Sequence, residues 1–226
     1  MKWVRSIIIV LLSLILSVLI SMLVILSTKK DANHIYRDTY KSIVEVKACN
    51  DKGCSYGSGV IISDDGKIIS NNHVITYQDE ILSDISIRLS YRDDYYEVQV
   101  IKTDVELDLA LLKVECDDLS AIKFAKDNSY DYGDKVYAIG NSNNRGIGIN
   151  EGIISNPKMN VISEATNREV IEANIVINEG NSGGALVNEK GKLIGITTFR
   201  MKDSSNNVIY GVAYSIPINQ INAFIG

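Results

Sequence analysis

This 226-residue chain predicts an all-β fold of two barrels of about six strands each, with a short C-terminal helix and one membrane-spanning helix ahead of the barrels. Three observations carry the prediction. Residues 6–28 hold no charged side chain and are built from Ile, Leu, Val and Met with scattered Ser. Beyond residue 40 the chain is a succession of short runs rich in β-branched and aromatic residues, broken by Gly, Asn and Asp. No long helical period interrupts them, which argues against a βαβ arrangement.

Taken in order, residues 1–5 form a short tail with Lys2 and Arg5, expected on the cytoplasmic side, and residues 6–28 are long enough to cross a bilayer as a helix. A secretory signal peptide has a shorter apolar region and a small-x-small cleavage site, and no Ala occurs before Ala32, so an uncleaved anchor is expected. Lys29 and Lys30 follow the span and nearly balance Lys2 and Arg5, so the outward orientation of the remainder rests on likeness to a signal anchor. Residues 29–40 read as a polar stalk and 41–226 as the folded domain.

In that domain the first set of strands is Ser42–Ala48, Gly59–Ser63, Lys67–Ser70, Ile85–Leu89, Tyr95–Ile101 and Leu109–Val114. The second is Lys135–Ile139, Ile147–Ile154, Val170–Ile177, Ala185–Val187, Leu193–Thr198 and Ile209–Ser215. Two barrels accommodate this spacing. The Tyr-containing stretch Asp127–Asp134 is the expected linker, and Pro217 followed by Ile218, Ile221 and Ile225 suits a short closing helix.

At 46% hydrophobic and 23% charged, the composition supports a sizeable core. The net charge of -5 and pI near 5.1 exclude nucleic acid as the main ligand, because phosphate binding needs a basic face. Asp93-Asp94 and Asp117-Asp118 lack the regular spacing of a calcium loop, and no metal is expected. Cys49 and Cys54 bracket a polar turn and read equally as a disulfide or as two thiols, while Cys116 is left over.

The chemistry lies in three short segments. His73 sits in Asn71-Asn72-His73-Val74, Asp108 in Leu107-Asp108-Leu109-Ala110 and Ser182 in Gly180-Asn181-Ser182-Gly183-Gly184. A general base, an orienting carboxylate and a hydroxyl nucleophile in this chain order match chymotrypsin-type proteolysis. The Gly-x-Ser-x-Gly pattern also fits α/β-hydrolases, but those supply their histidine after the serine, and both His34 and His73 precede Ser182. His34 lies in the stalk, and Asp104 and Glu106 are more polar in context than Asp108, whose apolar flanks make it costly to bury without a partner. Gly180, Asn181 and Ser182 form the expected oxyanion loop, with the N–H groups of Gly180 and Ser182 as donors.

These segments, with Gly57-Ser58-Gly59-Val60-Ile61-Ile62, Glu151-Gly152-Ile153-Ile154-Ser155, Gly191-Lys192-Leu193-Ile194-Gly195-Ile196 and Val212-Ala213-Tyr214-Ser215-Ile216-Pro217, resemble the HtrA/Deg-type branch of the trypsin-like serine proteases. The resemblance runs from about Ser42 to Ile225. It implies a chymotrypsin-like double β-barrel with the site in the cleft between the barrels, acting on peptide bonds without a cofactor. Two departures from the family stand out. The protease-like segments run up to Gly226, so regulation and substrate capture by a PDZ domain are not expected, and Glu179 stands where the family commonly has Pro. Asn181 replaces the aspartate that pairs with a new N-terminus in digestive zymogens, so activation by cleavage is not expected. A resting state whose oxyanion loop is ordered by substrate or a partner is the family-like alternative.

The expected function is a membrane-anchored, extracytoplasmic serine endopeptidase acting on unfolded polypeptides or a specific envelope substrate, in quality control or regulated proteolysis. A homo-oligomer is allowed, and the rival is a proteolytically silent chaperone or binding module on the same fold. Val176, six residues before Ser182, is the expected pocket floor, with Thr197, Thr198 and Phe199 on the opposite wall. That neutral floor predicts small or medium aliphatic residues before the scissile bond, with Glu179 as the rival attraction for basic substrates.

Overall fold

The computed structural model describes residues 2–27, 31–78, 80–127, 129–163, 166–202 and 208–226. The chain divides into two units, residues 1–31 and 32–226. The first is helix α1 (Lys2–Ser27), whose stretch Trp3–Met22 has mean hydropathy 2.6. At about 1.5 Å per residue its 26 residues exceed the ~30 Å of a bilayer's hydrocarbon core. Ser13, Ser17 and Ser21 turn their hydroxyls back onto the carbonyls of Val10, Leu14 and Ser17, so these polar groups are satisfied within the helix.

The second unit begins with a correction. The stalk expected over residues 29–40 is, from Ala32 to Thr39, a helix (α2) that belongs to the folded body. Ile35 is fully buried in the core cluster that also holds Ile43, Tyr137 and Ile196. The Tyr36 hydroxyl donates to the Ile147 carbonyl at 2.9 Å, and the Tyr36 and Tyr40 rings stack 5.4 Å apart. Burying one isoleucine contributes about 1.5–3 kcal/mol, enough to draw a short polar segment onto the barrels.

The first barrel closes in the order β1 (Ile43–Asn50), β2 (Gly53–Ile61), β3 (Lys67–Ser70), β8 (Leu109–Val114), β7 (Tyr95–Asp104) and β6 (Asp84–Leu89). Between β3 and β6 lie the single-turn helix α3 (Asn72–Ile75) and the small pair β4 (Thr76–Tyr77) and β5 (Glu80–Ile81). The second barrel closes as β10 (Gly148–Ser163), β11 (Thr166–Asn174), β14 (Val208–Pro217), β13 (Leu193–Lys202), β12 (Ala185–Asn188) and β9 (Lys135–Gly140). Every pairing within the two barrels is antiparallel.

Strand alternation explains the near-continuous apolar runs of the sequence. Along β9, Val136 and Ala138 fill the second barrel, while Tyr137 and Ile139 face a separate cluster shared with Ile43, Val60 and Ile69 of the first barrel. Both faces of the strand are therefore buried, and the runs lose the polar alternation of a solvated sheet. The same shared cluster takes Ile218, Ile221 and Phe224 of α4 (Ile218–Ile225), which follows Pro217 as expected.

Two further expectations change in detail. The link between barrels spans residues 115–134 rather than Asp127–Asp134 alone, because Ile122 and Ala125 are buried and the Ala125 N–H donates to the Leu193 carbonyl at 2.9 Å. Within the link, burial, then the nearby Glu169 and Asp127, push the Tyr130 hydroxyl up to about 12. Cys49 and Cys54 face each other directly across the β1–β2 hairpin and are joined as a disulfide, and Cys116 is free.

Candidate active site

His73 is delivered by α3, which follows directly on β3. Val74 and Ile75 anchor the turn in the first barrel's core, so the imidazole is pushed outward, 49% exposed. Asn71 and Asn72, both buried, fasten the preceding backbone. The Asn71 amide and the Asn72 N–H donate to the Asp108 carbonyl at 2.9 and 3.2 Å.

Asp108 closes the turn between β7 and β8 with a φ of +58°, a left-handed conformation that asparagine and aspartate tolerate better than other residues. Its side chain is 7% exposed and is fully engaged. One carboxylate oxygen accepts the His73 backbone N–H at 3.0 Å, and the other lies 2.8 Å from His73 Nδ1 and accepts the Thr198 hydroxyl at 2.7 Å. Burial alone would push this carboxyl up. The hydrogen bond and charge of His73, the Thr198 hydroxyl and the His73 N–H outweigh it and hold the group below the ordinary carboxylate value. An ionised carboxylate only accepts, so the Nδ1 of His73 is the donor in this contact, and in the neutral ring Nε2 is left as the acceptor. Asp104 and Glu106 are not part of this arrangement: Asp104 accepts the Leu107 N–H at 2.9 Å and caps the turn. His34 sits exposed on α2.

Ser182 comes from the second barrel. Its hydroxyl donates to the Thr198 carbonyl at 2.8 Å. Thr198 thus touches both halves of the site, its hydroxyl on Asp108 and its carbonyl on Ser182. The Ser182 carbonyl accepts the Ser58 N–H at 2.8 Å, and the Ser58 hydroxyl donates to the Gly180 carbonyl at 2.6 Å and accepts the Asn141 N–H at 2.8 Å. A strand of the first barrel is therefore stitched to the serine loop of the second. A Cβ on Gly57 would lie 2.6 Å from Val74 and 3.1 Å from the Ser182 carbonyl, so the residue beside His73 and the serine loop meet across this glycine.

The loop ahead of Ser182 is a turn closed by the Asn181 N–H on the Asn178 carbonyl at 3.1 Å, with Gly180 at φ +90°. A Cβ on Gly180 would stand 2.1 Å from the Asn141 carbonyl, and glycine alone fits. The Glu179 carbonyl accepts the Asn143 N–H at 2.7 Å, and because the peptide is trans the Gly180 N–H points the opposite way. Among the described residues neither the Gly180 nor the Ser182 N–H makes a backbone hydrogen bond. Asn181, grouped with them from the sequence, differs: its N–H is committed to closing the turn, which removes it as a donor.

The expected substrate wall also changes. Thr197 and Thr198 are each 2% exposed, so their side chains face inward and do not line a wall, and the Thr197 N–H and both carbonyls are bonded to Gly183, Gly184 and Ser182. The reason is alternate demand: the Thr198 hydroxyl is required by Asp108, a role the sequence reading missed and that only the pairing of distant segments reveals. The side chain of Phe199 lies outside the described residues. Val176 points outward, 52% exposed, between buried Ile175 and Ile177.

Comparison with known proteins agrees with this geometry. The trypsin-like peptidase domain family matches residues 57–196. The serine endoprotease DegS of Haemophilus influenzae is 37% identical over 167 residues, covering 74% of this chain and 48% of that protein. A probable periplasmic serine endoprotease, DegP-like, of Pseudomonas putida is 36% identical over 165 residues, covering 73% of this chain and 33% of its own length. The chain thus spans between a third and a half of the curated relatives it matches. Among solved structures, the HtrA-type protease AlgW with tripeptide superposes with a TM-score of 0.78 at 29% identity, over 87% of this chain and 62% of that one. The serine endoprotease from Yersinia pestis gives 0.71 at 30% identity, over 87% and 65%.

Proposed function

The chain belongs to the trypsin-like peptidase domain family, and from that premise we propose that it is an HtrA-type serine endopeptidase whose triad is His73, Asp108 and Ser182. The observation that carries this reading is the 2.8 Å contact between His73 Nδ1 and the buried Asp108 carboxylate, which fixes the tautomer a general base needs.

In the proposed cycle the Ser182 hydroxyl leaves the Thr198 carbonyl and hands its proton to His73 Nε2 as its oxygen attacks the scissile carbonyl. The oxyanion that forms accepts from the N–H groups of Gly180 and Ser182. His73, now protonated and steadied by Asp108, returns the proton to the departing amine, and water hydrolyses the acyl-enzyme by the same route in reverse. The resting bond from Ser182 to Thr198 supports a nucleophile that engages its base only when substrate arrives. Val176 supplies a neutral pocket floor, favouring Val, Ala, Ile or Leu before the scissile bond, and the edge of β13 pairs with the substrate backbone.

The length and apolarity of α1 support a single-pass anchor, and likeness to a periplasmic DegP-like endoprotease supports a catalytic unit on the extracytoplasmic side, where polypeptides of the envelope are the substrates. Labelling with an active-site phosphonate tests the whole reading. The parent chain should react at Ser182, whereas Ser182→Ala and His73→Ala chains should not. An unreactive but folded parent would favour a silent binding module.

A further inference from the structure

We propose that Arg168 is a positioning residue for the acid–base pair: from β11 in the second barrel, its guanidinium holds the turn of the first barrel that presents Asp108 to His73. The proposal deepens the triad reading and rests on it.

Arg168 Nε donates to the Glu106 carbonyl at 2.7 Å, and its terminal Nη2 donates to the Val105 carbonyl at 3.0 Å. These partners are neutral backbone oxygens of two consecutive residues, more than 60 positions away in sequence. The fork of N–H donors on a planar guanidinium fixes two oxygens at once, which a point charge such as lysine does not.

The turn needs that grip at this place. Its entry is capped by the Asp104 carboxylate on the Leu107 N–H, and its exit is held by five hydrogen bonds from side chains or backbone of Asn71, Asn72, His73 and Thr198 to Asp108. The middle has one internal bond, the Asp108 N–H to the Val105 carbonyl, which is long at 3.3 Å. Asp108 itself holds a left-handed φ of +58°, a conformation that persists only where its surroundings impose it. Val105 is 62% exposed and Glu106 is exposed too, so the two residues that Arg168 grips have no apolar packing of their own, and the core takes hold of the turn only from Leu107 onward.

Arg168 is well placed to supply it, because its own strand is fixed. The neighbouring Glu169 pairs with Lys158 across the β10–β11 hairpin at 3.0 Å, and its carbonyl accepts the Gln220 amide of α4 at 3.0 Å. The second barrel, which carries Ser182, thereby also sets the position of the carboxylate carried by the first. Catalytic geometry tolerates displacements of only about 0.5 Å, so slack in the turn reads out in turnover before it reads out in folding.

The test compares the parent, Arg168→Gln and Arg168→Lys as full chains on a short chromogenic peptide, with His73→Ala as a control for the triad. Arg168→Gln should lose roughly ten-fold in kcat with KM within about two-fold, and Arg168→Lys should recover about a third of the parental rate. The low-field NMR resonance of the proton between His73 and Asp108 should broaden in Arg168→Gln and return only in part in Arg168→Lys. A folded Arg168→Gln chain with parental kcat and an unchanged resonance overturns the proposal. If that chain does not fold, Arg168→Lys with both readouts at parental values overturns it equally. An active His73→Ala chain would instead sink the triad reading, whereas an inactive one beside a parental Arg168→Gln chain sinks this proposal alone.

Discussion

The two barrels hold their parts of the site in different ways. The first carries His73 and Asp108 already joined, with contacts of 2.7–3.0 Å around a carboxylate that is 7% exposed. The second carries Ser182 with its hydroxyl on a neighbouring carbonyl and two N–H groups without backbone partners. The difference follows the cost of burial: a buried carboxylate without donors is strongly destabilising, so its partners must be in place at all times. A hydroxyl and two N–H groups facing a solvated cleft carry no such cost and can await the substrate.

The comparison breaks most sharply at the proposed base and nucleophile, His73 and Ser182. His73→Ala and Ser182→Ala should each lose roughly 10⁴-fold or more in kcat while retaining the fold, measured on a peptide substrate with thermal unfolding in parallel. Near-parental turnover by His73→Ala would remove it from the mechanism.

Asp108→Asn comes next, leaving more residual activity than either of these but altering stability in a pH-dependent way. Because the folded carboxyl is held below the ordinary 3.8, its ionised form stabilises the protein fully above that value, and the contribution is lost as pH falls through the lower, folded value. The stability gap between parent and Asp108→Asn should therefore be constant above about pH 5 and narrow in more acidic solution. A gap that stays the same down to about pH 2 would show that the charge is not the stabilising element.

Thr198→Val keeps the shape and deletes the hydroxyl on Asp108. It should reduce kcat about ten-fold, the effect of roughly 1.4 kcal/mol, and unchanged kinetics would make that hydroxyl structural only. Ile35→Ala tests the core cluster shared by the two barrels instead of the site. It should destabilise the catalytic unit by about 2–5 kcal/mol in denaturant titration with kcat nearly unchanged at low temperature. The smallest change is one of preference: Val176→Asp should shift cleavage towards Lys and Arg in a peptide library, and no shift would remove Val176 from the pocket.

Much of this was legible in the sequence, for a physical reason. Most barrel strands fall close to their expected places because both faces of strands such as β9 and β12 are buried, which leaves compact apolar runs between Gly and Asn turns, whereas β2 starts at Gly53 instead of the expected Gly59 because its first four residues are not buried. The β10–β11 hairpin was foreseen too short. Beyond Ile154 it leaves the barrel through a register shift at Asn156 to Met159, around Pro157, where no core demands β-branched residues. Helix α2 was missed because a single buried isoleucine in a polar segment leaves almost no periodic signal. His73, Asp108 and Ser182 were readable from chain order and local glycine content. The contributions of Thr198 and Ser58 were not, since each depends on a hydrogen bond to a residue about 90 or more positions away.

Ser58 has a bearing on how such a molecule ages. Its backbone and hydroxyl link the first barrel to Gly180 and Ser182, so the barrels cannot part without releasing the loop that bears the nucleophile. Damage that loosens the two halves therefore unmoors the Gly180–Ser182 loop at the same moment as it bares new strand edges.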